Sequence, residues 1–265
     1  MSATTLPPIT DLQDSMLDVS GTPKVPMSRL VGVELRKLGD TRAGKWLLIM
    51  IGVITAAIIV IFFLNAKESD RTFMNFVGVT ATPQGFLLPV LGILLVTSEW
   101  SQRTALVTFT LVPARGRVLA AKVVAALIAG MAAIVVALGI AALATVLGGA
   151  DGAWANVGID DLGKFSILQV SGVLQGLAFG LLFLNSAAAI VTYFVLPIGF
   201  SIVASLWNAL ADAQPWVDLG TSQIPLYSGV NLTGEQWAQL GVGSLIWVAL
   251  PFVVGLVRVL RAEVK

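Results

Sequence analysis

The sequence predicts an all-α integral membrane protein with six transmembrane helices, and three observations lead there. Charged residues make up 12% of the 265-residue chain and hydrophobic residues 57%, with a mean hydropathy of +0.90. A soluble domain carries about 25% charged residues, so this chain lacks the charge to cover a water-facing surface of its size. Six segments reach the roughly 20 apolar residues that a helix needs to cross about 30 Å of hydrocarbon. Finally, Lys and Arg collect in alternate connecting segments, whereas Asp and Glu do not.

The elements follow in chain order. Residues 1–27 contain Asp11, Asp14 and Asp18 among Pro7, Pro8, Gly21 and Pro23, with no basic start and no apolar run. They read as a solvated, disordered cytoplasmic tail, not a signal peptide. A single transmembrane domain is expected over 28–265. Its first part, 28–45, places Val31, Leu35 and Leu38 on one helical stripe beside Arg29, Arg36, Lys37 and Arg42, the pattern of an amphipathic helix lying in the membrane interface. The spans are expected at about 46–66, 78–98, 118–147, 165–184, 187–210 and 240–257. No Asp, Glu, Lys or Arg falls in the middle of any of them. Lys122, about one turn inside the third, is close enough to the end of the span to snorkel back to the interface.

Between spans two and three lies the most informative stretch, from Thr97-Ser98-Glu99-Trp100 through Arg103-Thr104 to Pro113, Arg115, Arg117 and Lys122. Glu99 and Arg103 are spaced i, i+4 with the acid first, so they are expected to pair on a helix. Leu106, Phe109 and Thr110 continue a helical spacing that Pro113 stops. A short helix presented between two spans results. Farther on, Gly172, Gly176 and Gly180 mark one face of span four, where another helix can approach closely. Pro197 is expected to kink span five, and Asn185-Ser186 to form a hairpin between spans four and five. Gln169, Gln175, Thr192 and Asn208 are polar groups that hydrogen-bond between helices or, alternatively, line a substrate path. The connection 211–239, with Pro215, Trp216, Pro225, Tyr227 and Trp237, suits a loop or short re-entrant helices.

Orientation comes from the basic residues. With the N-terminus in the cytoplasm, thirteen of the 16 Lys and Arg are inside and only Lys67, Arg71 and Lys164 outside, while the 15 acidic residues divide seven to eight. Both termini are therefore placed in the cytoplasm of a multi-pass protein of the cytoplasmic membrane, and the alanine-rich composition suggests a bacterial one.

Other chemistry is poorly supplied. The chain has no Cys and no His, which removes thiol nucleophiles, Ser-His-Asp triads and zinc sites built on those ligands. No cofactor, metal site or nucleic-acid partner is expected, and no catalytic residue. Gly158 to Phe165 nearly matches a phosphate-binding loop, but Phe165 stands where a magnesium-binding hydroxyl belongs and Asp160 and Asp161 crowd the phosphates. Asn231-Leu232-Thr233 has the form of a glycosylation acceptor and is read as a chance triplet.

The pattern Thr97-x-Glu99, Thr104, Pro113-x-Arg115 and Lys122 between spans two and three resembles the type-2 permease family of ATP-binding-cassette (ABC) transporters. The basic helix before span one, ending in Thr41-Arg42 and Trp46, and the long connection before span six fit the same family. One departure is Arg103, where many relatives carry glycine; it leaves the local helix geometry open. The resemblance implies a non-enzymatic transport subunit: two permease subunits, homo- or heterodimeric, each docked to a cytoplasmic ABC ATPase. Carried over, Glu99, Arg103, Thr104, Pro113, Arg115 and Arg117 belong to the ATPase-coupling surface, with the helix between spans two and three as a cytoplasmic coupling helix. The function implied is ATP-driven export of an amphiphilic or apolar substrate. An ion-coupled or facilitative carrier and a scaffold subunit are the alternatives. Ion coupling generally needs ionisable groups at membrane depth, and the spans offer none there.

Overall fold

The computed structural model describes residues 24–155, 157–227 and 231–262. Of the tail expected at 1–27, residues 1–23 lie outside the described residues, Lys24 to Pro26 run without helix, and Met27 already opens the first element. Helices make up nearly all the rest, and no strand occurs among the described residues. They are α1 (Met27–Asp40), α2 (Arg42–Asn65), α3 (Phe73–Ser101), α4 (Ala105–Leu111), α5 (Arg115–Gly148), α6 (Ile159–Phe183), α7 (Ser186–Leu206), α8 (Asn208–Val217), α9 (Leu219–Gln223), α10 (Gly234–Ser244) and α11 (Leu250–Arg261). A π-helical turn, Leu245–Ala249, joins α10 to α11.

Six helices are long and apolar enough to cross a membrane: α2, α3, α5, α6, α7 and the continuous Gly234–Arg261. The chain is a multi-pass membrane protein. Two spans start well before their apolar runs do. Helix α6 begins at Ile159 because Asp160 and Asp161 fill its first turn, where carboxylates are favoured by the helix dipole. The last span begins at Gly234 with a capping box between Thr233 and Gln236, which gives the Asn231-Leu232-Thr233 triplet a structural use. Span five is shorter than expected: α7 stops at Leu206 and Trp207 is extended. The following connection is largely helical, through α8, α9 and a 3-10 turn at Ile224–Tyr227.

Helices α3 and α6 form the centre. Buried positions make up 61% of the apolar stretch in each, against 17% in α2 and 11% in α7. Small residues let the two central backbones touch. A Cβ on Gly176 would run into the Pro89 carbonyl, and one on Gly92 into the Val173 carbonyl, while Gly180 lies against Ile93 and Gly172 against the Pro89 ring. The glycine face of span four thus packs against α3. Pro89, which frees one backbone carbonyl a turn earlier, is seated in that glycine groove. Pro197 lies inside α7, of which Ala189 and Ala204 alone are fully buried among the described residues.

Both ends of the bundle have defined turns. At one end, Thr41 breaks α1 from α2 and its hydroxyl caps Gly44 N at 3.2 Å. Gly44 is required there, since a Cβ would meet the Leu38 carbonyl. At the same end Leu184, with φ 53°, stops α6, and Asn185 caps α7 through Ala188 N at 3.0 Å. Ser186 then bonds Thr97 at 2.7 Å and Ser101 at 3.1 Å, pinning this hairpin to α3. We call this the basic end, because α1, α4 and the start of α5 lie on it.

Candidate functional site

Four ionisable side chains meet beneath α4 at the basic end. Lys122, from the second turn of α5, is 2% exposed; Glu34 of α1 and Glu99 of α3 are each 4% exposed. Lys122 Nζ donates to Glu34 Oε2 at 2.6 Å and to the Leu95 carbonyl at 3.1 Å, and lies 3.4 Å from Glu99 Oε2. Lys37 Nζ bridges the same two carboxylates, at 2.8 Å from Glu34 Oε1 and 2.6 Å from Glu99 Oε1. The Thr108 hydroxyl of α4 donates to Glu99 Oε1 at 3.0 Å. Two acids and two ammonium groups make the cluster neutral, and it joins α1, α3, α4 and α5.

The local folding of each element explains the meeting. On α1 the buried residues are Leu30, Glu34 and Leu38, spaced by four, so Glu34 sits in the middle of the face that packs against the bundle. The apolar neighbours Val31 and Leu35 pack against the same core. Lys37 is half-buried at the edge of this face. Burial works against its charge, but the hydrogen bonds and charges of Glu34 and Glu99 outweigh it and hold its pKa above the ordinary 10.5.

Two expectations are corrected here. Lys122 does not snorkel to the interface: it is held inward by two carboxylates and a carbonyl, which together replace the water it would otherwise seek. Glu99 does not pair with Arg103 either. Helix α3 ends at Ser101, and Arg103 turns into the left-handed region with φ 59°, so the i, i+4 geometry is lost and Glu99 takes Lys37, Lys122 and Thr108 instead. Thr104 follows with its N–H on the Glu99 carbonyl at 2.9 Å and opens α4.

Helix α4 buries Ala105 and Phe109 and leaves Leu106, Val107 and Leu111 exposed at 48%, 57% and 74%. An apolar exposed face beside Arg103 and Pro113 therefore lies on the polar end of the protein. The two arginines after Pro113 turn inward. Arg115 stacks over the Phe109 ring at 5.1 Å and donates to the Val259 and Ala262 carbonyls at 3.0 and 2.7 Å. Arg117 donates to the Val25 carbonyl at 2.6 Å. They tie α4 and the start of α5 to the end of α11 and to the segment entering α1. Arg258 likewise donates to the Leu182 carbonyl at the end of α6.

Sequence reasoning found Glu99 and Lys122 but missed Glu34, Lys37 and Thr108 as their partners. The usable signal was Glu34 itself, a carboxylate inside an otherwise apolar stripe. Of the polar residues in spans four and five, Gln169 and Gln175 are buried, and the Gln169 Nε2 has no hydrogen-bond partner among the described residues. On α3, Gln84 donates to the Ala133 carbonyl at 3.2 Å while its Oε1 is unpaired among the described residues. The near-phosphate-loop is the start of α6, with its Lys164 buried and paired to Asp161 at 3.1 Å. Among the described residues no three His, Cys, Asp or Glu side chains come together as a metal site.

At the other end, a cavity of about 1170 Å³ opens between the first halves of α3 and α6, bordered by Phe62, Gly158, Leu226 and Tyr227. The chain matches no protein-family model, and no curated protein is significantly similar to it.

Proposed function

We propose that the chain is the membrane-spanning permease subunit of an ATP-driven ABC exporter, working with a second permease subunit and a separate cytoplasmic ABC ATPase. The basic end then faces the cytoplasm, α1 is the interfacial helix and α4 the coupling helix. The observation that carries the reading is the way α4 is mounted. A seven-residue helix is too short to be stable alone, yet this one exposes Leu106, Val107 and Leu111 and is fastened from beneath to its neighbours. Exposed apolar residues rimmed by polar ones mark a protein contact, and the buried cluster under it would pass a displacement of α4 to α1, α3 and α5 together. Arg103 supports the family resemblance in a second way. It stands where relatives have glycine and adopts the φ of 59° that glycine takes without strain. Charged groups at the ends of the spans, with none at mid-depth, fit an external energy source.

The test is co-purification from the native cell in mild detergent. A stoichiometric ATP-binding subunit is expected with the wild type and absent with Leu106→Glu/Leu111→Glu. Because both side chains are exposed, this variant should change stability by no more than about 0.5 kcal/mol per site. Recovery of a correctly inserted wild type with no ATP-binding partner would end the exporter reading. Retention of the ATPase by the variant would remove α4 as its docking element.

A further inference from the structure

The cavity of about 1170 Å³ lies at the opposite end of the bundle from the charge cluster and is lined by none of its four ionisable side chains. The cavity is open at its mouth, and ligand pockets run to about 300–1,000 Å³, so it has room for a drug-sized molecule. Its wall is mixed: Phe62, Met74, Phe165 and Leu168 form an apolar part, and Asp70, Asn75, Thr82 and Asp161 a polar part of comparable extent. Among the described residues, the charged groups that line it are these two carboxylates, and no Lys or Arg does. The neighbouring cations are already engaged: Lys164 is buried on Asp161, and Arg71 lies over the Phe63 ring at 4.7 Å. Among the described residues, the Asp70 carboxylate accepts only from the Ser69 hydroxyl, at 3.4 Å.

We propose that this cavity binds a cationic amphiphile, its apolar body against Phe62, Met74, Phe165 and Leu168 and its positive head between Asp70 and Asp161. An apolar part of the wall beside carboxylates favours such a molecule over a neutral or anionic one of equal size, since a negative charge placed there is repelled. A place for this site on the export route rests on the exporter reading. Binding does not, so the test uses the permease alone, and its failure leaves the ATPase experiment untouched.

The purified full chain in discs of zwitterionic lipid is titrated with a dansyl-labelled dodecyl probe carrying a trimethylammonium head, and with the same probe carrying a carboxylate head. Saturable binding of the cationic probe is expected, tighter than that of the anionic one. Asp70→Asn and Asp161→Asn should each weaken it by about two- to fivefold, as partly exposed ion pairs do. Lys164→Gln should tighten it by removing the competing cation. Gly78 borders the cavity, and a Cβ there would meet nothing within 4 Å, so Gly78→Leu should narrow the cavity and weaken binding without lowering the melting temperature. Equal affinity for both heads, indifference to the two Asn substitutions, or full binding by Gly78→Leu would each overturn the proposal.

Discussion

Replacing Lys122 with Met is the sharpest test of the charge cluster. The thioether has similar length and fills the same space, so the change removes charge more than volume. In the native cluster two carboxylates face two ammonium groups; in Lys122→Met, Glu34 and Glu99 share Lys37 alone, and a net negative charge stays buried. Removing one partner of a buried pair costs about 3–5 kcal/mol. Here the low end is expected, near ~3 kcal/mol, because Lys37 still reaches both carboxylates and Thr108 still donates to Glu99. Adding Glu34→Gln restores neutrality, leaving Glu99 with Lys37, and should recover all but about 1–2 kcal/mol. The assay is equilibrium unfolding in bicelles of fixed composition for the wild type, both single variants and the double. A loss under about 1 kcal/mol for Lys122→Met, or a double variant as damaged as the sum of the singles, would refute the argument that the four groups act as one neutral unit.

Three further outcomes follow from separate features. Arg103→Gly should stabilise the protein by about 0.5–1 kcal/mol, since the left-handed conformation costs a side-chain-bearing residue about 1–2 kcal/mol and glycine loses part of that gain as chain entropy; unfolding midpoints measure it. Gly176→Ala should destabilise by about 1–3 kcal/mol through its clash with the Pro89 backbone, whereas Gly139→Ala, with open space around it, should be neutral or slightly stabilising. For Lys37, whose folded pKa is raised above 10.5, the stabilising contribution is fully present below the unfolded value and is lost as pH rises through the folded one. Melting temperature should therefore hold steady up to about pH 10 and fall above it, and Lys37→Met should flatten that alkaline step; an identical step in both proteins would assign it elsewhere.

The six spans were legible because an apolar run of membrane length has few other uses. Their ends were not, where a helix continues through polar residues: Asp160, Asp161 and Lys164 belong to α6 although hydropathy alone would put them in a loop. The cluster was illegible for a different reason. Its bonds span 62 residues from Lys37 to Glu99 and 88 from Lys122 to Glu34, so no local spacing announces them. A local rule even suggested the wrong partner, Arg103, because i, i+4 pairing presumes a helix that in fact ends at Ser101. The inward aim of Arg115 and Arg117 was hidden in the same way, since their acceptors are carbonyls of Val259, Ala262 and Val25, and a backbone acceptor leaves no mark in the sequence.

A neutral four-membered cluster is a poor way to gain stability, because desolvating the ions can offset their attraction. Apolar side chains of the same volume would hold α1 against α3 and α5 as firmly. What the ions add is a fixed register: Glu34, Lys37, Glu99 and Lys122 satisfy one another in one arrangement of the helices and leave a charge unpaired in any sliding of one past another. The glycine and proline contacts between α3 and α6 impose a similar constraint deeper in the bundle, where Pro89 has its backbone against Gly176. Under the exporter reading, a push on α4 would then be carried by the cluster into α3, and by α3 with α6 toward the cavity at the far end that both helices line. Helices α2 and α7 have little of their length buried within the chain, which leaves those faces for lipid or a second subunit to cover. Under that reading, the closely packed central pair, which reaches from the cluster to the cavity, is the path by which force applied at one end changes the shape of the site at the other.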